Sequence, residues 1–190
     1  MNYVIYIPGL NDHQWPSQFR LVRAWRIFGV KPYIFRMNWA AGEPFARTFK
    51  QLLDLIDDLT GQGHRVSLVG VSAGASVVLN AFANRPQSAA RMVCLCGKIQ
   101  NGQTISPATL QANPAFKESL AMLPGSLNAL QPDARARILS IHPLADNSVP
   151  VADTKLDGAV ERTIPTIGHG FSIFYGLTLG SFGITRFCKK

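Results

Sequence analysis

Residues 66–71 read Val-Ser-Leu-Val-Gly-Val, and the chain passes at once into Ser-Ala-Gly-Ala-Ser-Val-Val-Leu. A near-continuous apolar run of strand length, without strict alternation, fits a strand covered on both faces, as in a parallel sheet with helices on each side. The small side chains of Ala73–Ala83 predict a helix directly behind it, stopped by Asn84-Arg85-Pro86.

The rest of the chain follows the same alternation. Tyr3–Ile7 is a β-rich apolar run ended by Pro8-Gly9, and Ser17–Phe28 has the spacing of an amphipathic helix closing near Gly29. Pro32–Met37 predicts a short strand. Phe45, Phe49, Leu52, Leu53, Ile56 and Leu59 fall on one helical stripe, with Pro44 at its entry and Gly61 and Gly63 at its end. Arg91–Cys96 predicts a further buried strand. The connection 97–137 is longer, with a helix over Pro114–Met122, a break at Pro124-Gly125, a second short helix, and room for no more than a small lid. Arg137–His142 and Glu161–Ile164 complete the strands, and Phe171–Leu179 the last helix. Six strands with intervening helices predict an α/β fold in three α/β/α layers around a mostly parallel, doubly wound sheet, with residues 1–190 as a single domain.

Composition agrees with one well-filled core: 47% of the 190 residues are hydrophobic and 16% charged, too apolar for a disordered chain. The three cysteines rule out a disulfide framework and suit a reducing, cytoplasmic setting; no metal-ligand cluster accompanies them, so no metal is expected. The net charge of +8 raises nucleic acid or an anionic membrane as partners. Arg20, Arg23 and Arg26 lie opposite Leu21, Trp25 and Phe28 on their helix, a solvated face over a buried stripe, without the larger basic cluster that nucleic acid demands. Met1 to Leu10, with no basic n-region and only a short apolar run broken by Pro8, is not expected to be a signal peptide. Residues 163–185 lack charge and are long enough for a membrane span, but Pro165, His169 and five glycines favour a strand end, a loop and a core helix.

Chemistry concentrates at Gly70-Val71-Ser72-Ala73-Gly74, a G-x-S-x-G pattern lying between the buried strand and the small-residue helix. That setting is what a nucleophile elbow requires, since a sharp turn there lifts the serine hydroxyl above the sheet edge at a helix N-terminus. A serine needs a base, and the base an orienting acid. His64 precedes the nucleophile strand at the opposite end of the sheet; His142 lies in a strand or at its end; His13 follows the first strand. His169, in Gly168-His169-Gly170, follows the last strand at the edge that carries Ser72. Asp146 follows Arg137–His142 at the same edge, with Asp133, Asp153 and Asp157 as weaker substitutes. The order Ser72, Asp146, His169 matches one recurring triad order. The backbone N–H of Ala73, and of Leu10 in the loop after the first strand, are the expected oxyanion donors. Trp15, Trp39 and Phe171 are candidate walls of an acyl pocket.

On Ile7-Pro8-Gly9-Leu10, Gly70-Val71-Ser72-Ala73-Gly74, Asp146 with Val149-Pro150, and Gly168-His169-Gly170, the chain resembles the α/β-hydrolase superfamily, close in size to compact, lidless bacterial esterases and lipases. The resemblance implies a sheet lacking the family's first two strands, and a serine hydrolase acting on a small-molecule carboxylic ester or thioester through an acyl-enzyme, with no cofactor. It departs in carrying Pro-Gly where many lipases have His-Gly in the oxyanion loop. Two readings of other classes stand beside it: a non-catalytic binding protein on the same fold, and a lipase or acyltransferase held on a membrane surface by the basic N-terminal half.

Overall fold

The computed structural model describes residues 1–40, 44–100 and 104–190. Its sheet is built from β1 (Asn2–Ile7), β2 (Lys31–Ile34), β3 (Arg65–Val71), β4 (Ala89–Leu95), β5 (Ile138–Ala145) and β6 (Val160–Ile167). The spatial order is β2-β1-β3-β4-β5-β6, and every pairing is parallel. The helices are α1 (Ser17–Ala24), α2 (Phe45–Gly61), α3 (Gly74–Asn84), α4 (Pro107–Ala112), α5 (Pro114–Ala129), α6 (Pro132–Arg135), α7 (His169–Leu177) and α8 (Ser181–Cys188).

Alternate residues of the strands feed two cores. Ile5, Ile7, Val66 and Leu68 pack with α2, α3 and α5 on one face. Val4, Tyr6, Val69 and Val71 pack with α7, α8 and the segment Val22–Trp25 on the other. This double burial is the physical reason the strands read as continuous apolar runs. It also gives the three-layer α/β/α architecture. Strand order reverses between β1 and β3, so the loops after these two strands diverge at their C-terminal ends, where crevices form in sheets of this kind.

Several boundaries differ from the sequence reading. Ser17–Phe28 is an α-helix only to Ala24 and continues as a 3₁₀ turn over Trp25–Phe28. The break expected at Pro124-Gly125 does not occur: α5 runs through Pro124 to Ala129. An interior proline costs a helix about 3 kcal/mol, and here Phe116, Leu120 and Leu123 continue a buried stripe that packs on α3. Within the connection 97–137, residues 107–112 form the additional helix α4, while residues 101–103 lie outside the described residues. The helix expected over Phe171–Leu179 is α7, which starts at His169 and ends at Leu177; it is not the last, because α8 follows it, and the uncharged stretch 163–185 divides among β6, α7 and α8. Among the described residues no helix is long and apolar enough to cross a membrane.

Candidate active site

The turn from β3 into α3 holds Ser72 at φ 52°, in the left-handed region that non-glycine residues rarely occupy. Such a conformation costs of order 1–3 kcal/mol and persists where its surroundings over-determine it. Here the Ser72 N–H donates to Leu95 O (3.1 Å), and Ser72 O accepts from the N–H of Ala75 (3.1 Å) and Lys98 (3.2 Å). Gly74 lets the turn close against β1, since a Cβ at this position would lie 2.3 Å from Ile7 O. Gly9 does the same from the opposite side: a Cβ there would stand 2.9 Å from Ser72 Cβ. Both contacts are closer than any side chain tolerates, so the spacing of glycines around the serine is a steric requirement of the β1–β3 crevice.

His169 opens α7 immediately after β6, its backbone set by Gly168 at φ 88°. Its Nε2 is 2.8 Å from Ser72 Oγ, and its Nδ1 is 2.7 Å from Asp146 Oδ2. Asp146 sits just past the end of β5, where its Oδ1 accepts the backbone N–H of Ser148 (2.8 Å) and Val149 (3.0 Å). Burial pushes the Asp146 carboxyl up, but the hydrogen bonds from His169, Val149 and Ser148 outweigh it and hold its pKa below the ordinary carboxylate value. Three side chains from the ends of β3, β5 and β6 thus form one hydrogen-bonded chain from carboxylate through imidazole to hydroxyl.

The other titratable candidates lie elsewhere. His64 stacks on Tyr3 (5.0 Å between ring centroids), and His142 is buried within β5, 3.9 Å from Glu161. His13 is exposed in a 3₁₀ turn beside a second, smaller cavity. Asp133 is exposed near Arg137, and the main-chain carbonyl of Asp157 accepts from Arg135. Asp153 is engaged by the buried ammonium of Lys98 and by Thr104 Oγ1 (2.8 Å).

Ser72 and His169 open onto a cavity of about 480 Å³. Leu10, Trp15, Phe116, Val149 and Ile173 supply apolar wall, and Thr104, Ile105, Ser106 and Thr109 from the β4–β5 connection close one side. Of the three aromatics expected to line an acyl pocket, Trp15 does so. Trp39 is instead buried against Phe116, and its Nε1–H donates to Gly9 O (3.0 Å), tying down the loop that carries Leu10. Phe171 is turned to solvent on α7, because two residues, about 200° of helix rotation, place it on the side away from His169. Lys98 also reaches the cavity, its ammonium donating to Thr104 Oγ1 (2.6 Å). Lys98, three residues past the end of β4, carried no sequence signal that it would reach the cavity. Gln18 lines the cavity too, held by the Tyr6 hydroxyl (2.9 Å), whose pKa burial drives far above its usual value.

No family model and no curated protein sequence matches the chain. Solved structures do. The chain resembles metagenome-derived lipolytic enzymes described with LipS and LipT (14% identity, 98% of this chain and 93% of that one, TM-score 0.72). It likewise resembles a monoacylglycerol lipase of Paleococcus ferrophilus (15%, 98% and 93%, TM-score 0.66). The ydeN gene product of B. subtilis matches along its whole length (18%, 100% and 100%, TM-score 0.65), so the two chains share size as well as fold.

Proposed function

We propose that this chain, a small protein with the α/β-hydrolase fold, is a serine hydrolase that cleaves a carboxylic ester or thioester by way of an acyl-enzyme. The observation that carries the proposal is the unbroken chain from Asp146 Oδ2 through the His169 ring to Ser72 Oγ, with bonds of 2.7 and 2.8 Å. A serine hydroxyl is a weak nucleophile until a base within hydrogen-bond reach removes its proton. His169 Nε2 is that base. Asp146, held ionised by its donors, keeps the Nδ1 proton in place and stabilises the imidazolium that forms. Ser72 Oγ attacks the carbonyl carbon, and the developing oxyanion is received by the backbone N–H of Ala73 and Leu10. His169 then gives its proton to the departing alcohol or thiol. Water, deprotonated by the same imidazole, attacks the acyl-serine and releases the acid. The acyl group occupies the cavity walled by Trp15, Phe116 and Ile173. Two of the similar structures are a monoacylglycerol lipase and a lipolytic enzyme, which supports a lipid-like or alkyl ester as substrate.

The test is a p-nitrophenyl ester series of increasing acyl length. The expected result is turnover that rises from acetyl and declines once the acyl chain outgrows the cavity. Ser72→Ala is expected to lower kcat by on the order of 10⁶. Near-native turnover by Ser72→Ala would overturn the proposal.

A further inference from the structure

The charge of this protein is not spread over its surface. Residues 13–40 and 162–190 carry nine Lys/Arg and no Asp or Glu, whereas the remainder carries ten basic and eleven acidic residues. These two segments fold together: they contain α1, α7, α8, the edge strand β2 and all of the edge strand β6 beyond Glu161, and of their cations Arg36 is paired with Asp12 (2.7 Å). The outer layer formed by α1, the 3₁₀ turn after it, α7, α8 and the two residues that follow α8 carries Arg20, Arg23, Arg26, Arg186, Lys189 and Lys190 and no acidic residue, most of the net charge of +8. Arg20, Arg23 and Arg26 are exposed along α1 and the 3₁₀ turn after it, and Arg186 is exposed on α8. Arg162, also exposed, lies against α8 at Gly183.

The same layer presents large apolar side chains to water. Ile27 and Leu179 are each 79% exposed, Phe171 61%, Phe182 57% and Phe174 46%. All five lie on α7, α8, the turn between them or the 3₁₀ turn after α1, and two of them pair with other rings of the layer. Phe174 packs on Trp15 at the cavity wall (6.5 Å between centroids), Leu179 is in the turn between α7 and α8, and Phe182 meets Phe28 edge-on (5.7 Å) beside Ile27. Five large apolar side chains exposed on one layer beside a row of arginines mark an interaction site.

We infer that the α1–α7–α8 layer docks on the surface of an anionic lipid bilayer. Arginines meet the lipid phosphates while Ile27, Leu179 and the phenylalanines enter the boundary between headgroups and acyl chains, the arrangement of interfacial amphipathic helices. Charge decides among the occupants. A second copy of the chain would set six positive charges against six. Nucleic acid matches the charge but gives Ile27 and Leu179 nothing to do, because neither stacks on a base nor hydrogen-bonds one. A lipid surface uses both features. Because the patch reaches Trp15, docking also brings the cavity beside the bilayer, but the binding itself does not depend on turnover at Ser72.

Co-sedimentation with vesicles tests the inference, using phosphatidylcholine alone and phosphatidylcholine mixed with phosphatidylglycerol. Binding is expected only with the anionic vesicles, and it weakens as salt rises. Replacing Arg20, Arg23 and Arg26 together by Gln lowers partitioning on the order of 100-fold, about fivefold per arginine. Ile27→Ser with Leu179→Ser lowers it severalfold with the charge intact. Ser72→Ala and Lys117→Gln, the latter on α5 across the sheet, bind as wild type, and thermal melts confirm that each variant is folded. Turnover of a water-soluble ester by the Ile27→Ser/Leu179→Ser protein stays at the wild-type rate, which separates docking from catalysis. The inference is overturned by absence of binding to anionic vesicles at low salt, or by binding that neither set of face substitutions reduces. Retention of an oligonucleotide without vesicle binding would overturn it as well.

Discussion

Asp146→Asn isolates the contribution of one charge while keeping the shape of the site. The wild-type carboxylate accepts three hydrogen bonds, two from the backbone N–H of Ser148 and Val149 on Oδ1 and one from His169 on Oδ2. An asparagine satisfies the two backbone donors with its carbonyl oxygen, so the turn after β5 is retained. Its NH₂ group then faces His169 Nδ1, which accepts instead of donating. The ring is forced into the opposite tautomer, its Nε2 carries the proton, and Ser72 Oγ loses its base at 2.8 Å. Such an exchange in a serine triad lowers kcat about 10⁴-fold, or about 5 kcal/mol of transition-state stabilisation. The cost in stability is far smaller: one hydrogen bond to a charged group out of three, at about 1.5–3 kcal/mol, is weakened rather than all being lost. Steady-state hydrolysis of a p-nitrophenyl ester gives the first quantity and a denaturant titration the second. Asp146→Asn turnover within tenfold of wild type, in protein of near-native stability, would refute the assignment of Asp146 as the group that orients His169.

Three further outcomes follow from the same geometry. The Asp146 carboxyl is held below its ordinary value near 3.9, so its contribution to stability is fully present above about pH 5 and is lost as pH falls through the lowered folded-state pKa. The stability difference between wild type and Asp146→Asn should therefore hold from about pH 7 to about pH 5 and shrink below that, and a difference that stays constant down to about pH 3 would contradict this. Gly74→Ala drives a methyl group to 2.3 Å from Ile7 O, and a denaturation midpoint should register about 1–3 kcal/mol of destabilisation; an unchanged midpoint would show that the crevice yields. Cys94, Cys96 and Cys188 are buried, and burial raises their thiols, Cys96 and Cys188 to about 12, so iodoacetamide should leave all three unmodified in native protein and label all three after denaturation, as read by intact mass.

What the sequence made legible depended on whether a signal was local. Val66–Val71 and the stripe from Phe45 to Leu59 carry their own burial pattern, so β3 and α2 emerged with nearly correct bounds. Ser72, Asp146 and His169 were legible for a related reason: in a parallel sheet, residues following different strands share one edge, and chain order alone brings them together. Tertiary packing decided the remainder. Pro124 looks like a helix stop, yet the buried Phe116, Leu120 and Leu123 carry α5 past it. Gly180 and Gly183 concealed α8, whose stability comes from burying Ile184, Phe187 and Cys188 rather than from propensity. Trp39 gave no sign that it would hold the Gly9 carbonyl rather than line the cavity, since burial and exposure of a single aromatic follow from elements distant in sequence. Lys98 was likewise silent, because its partner Asp153 is supplied by a turn beyond β5.

The central claim is that Ser72 Oγ is a nucleophile activated by His169. Mass spectrometry after treatment with a fluorophosphonate measures this directly. A single phosphonyl adduct is expected on the peptide carrying Ser72, abolished in Ser72→Ala and strongly slowed in Asp146→Asn. Folded wild-type protein that remains unlabelled, or that is labelled equally well as Ser72→Ala, would contradict it.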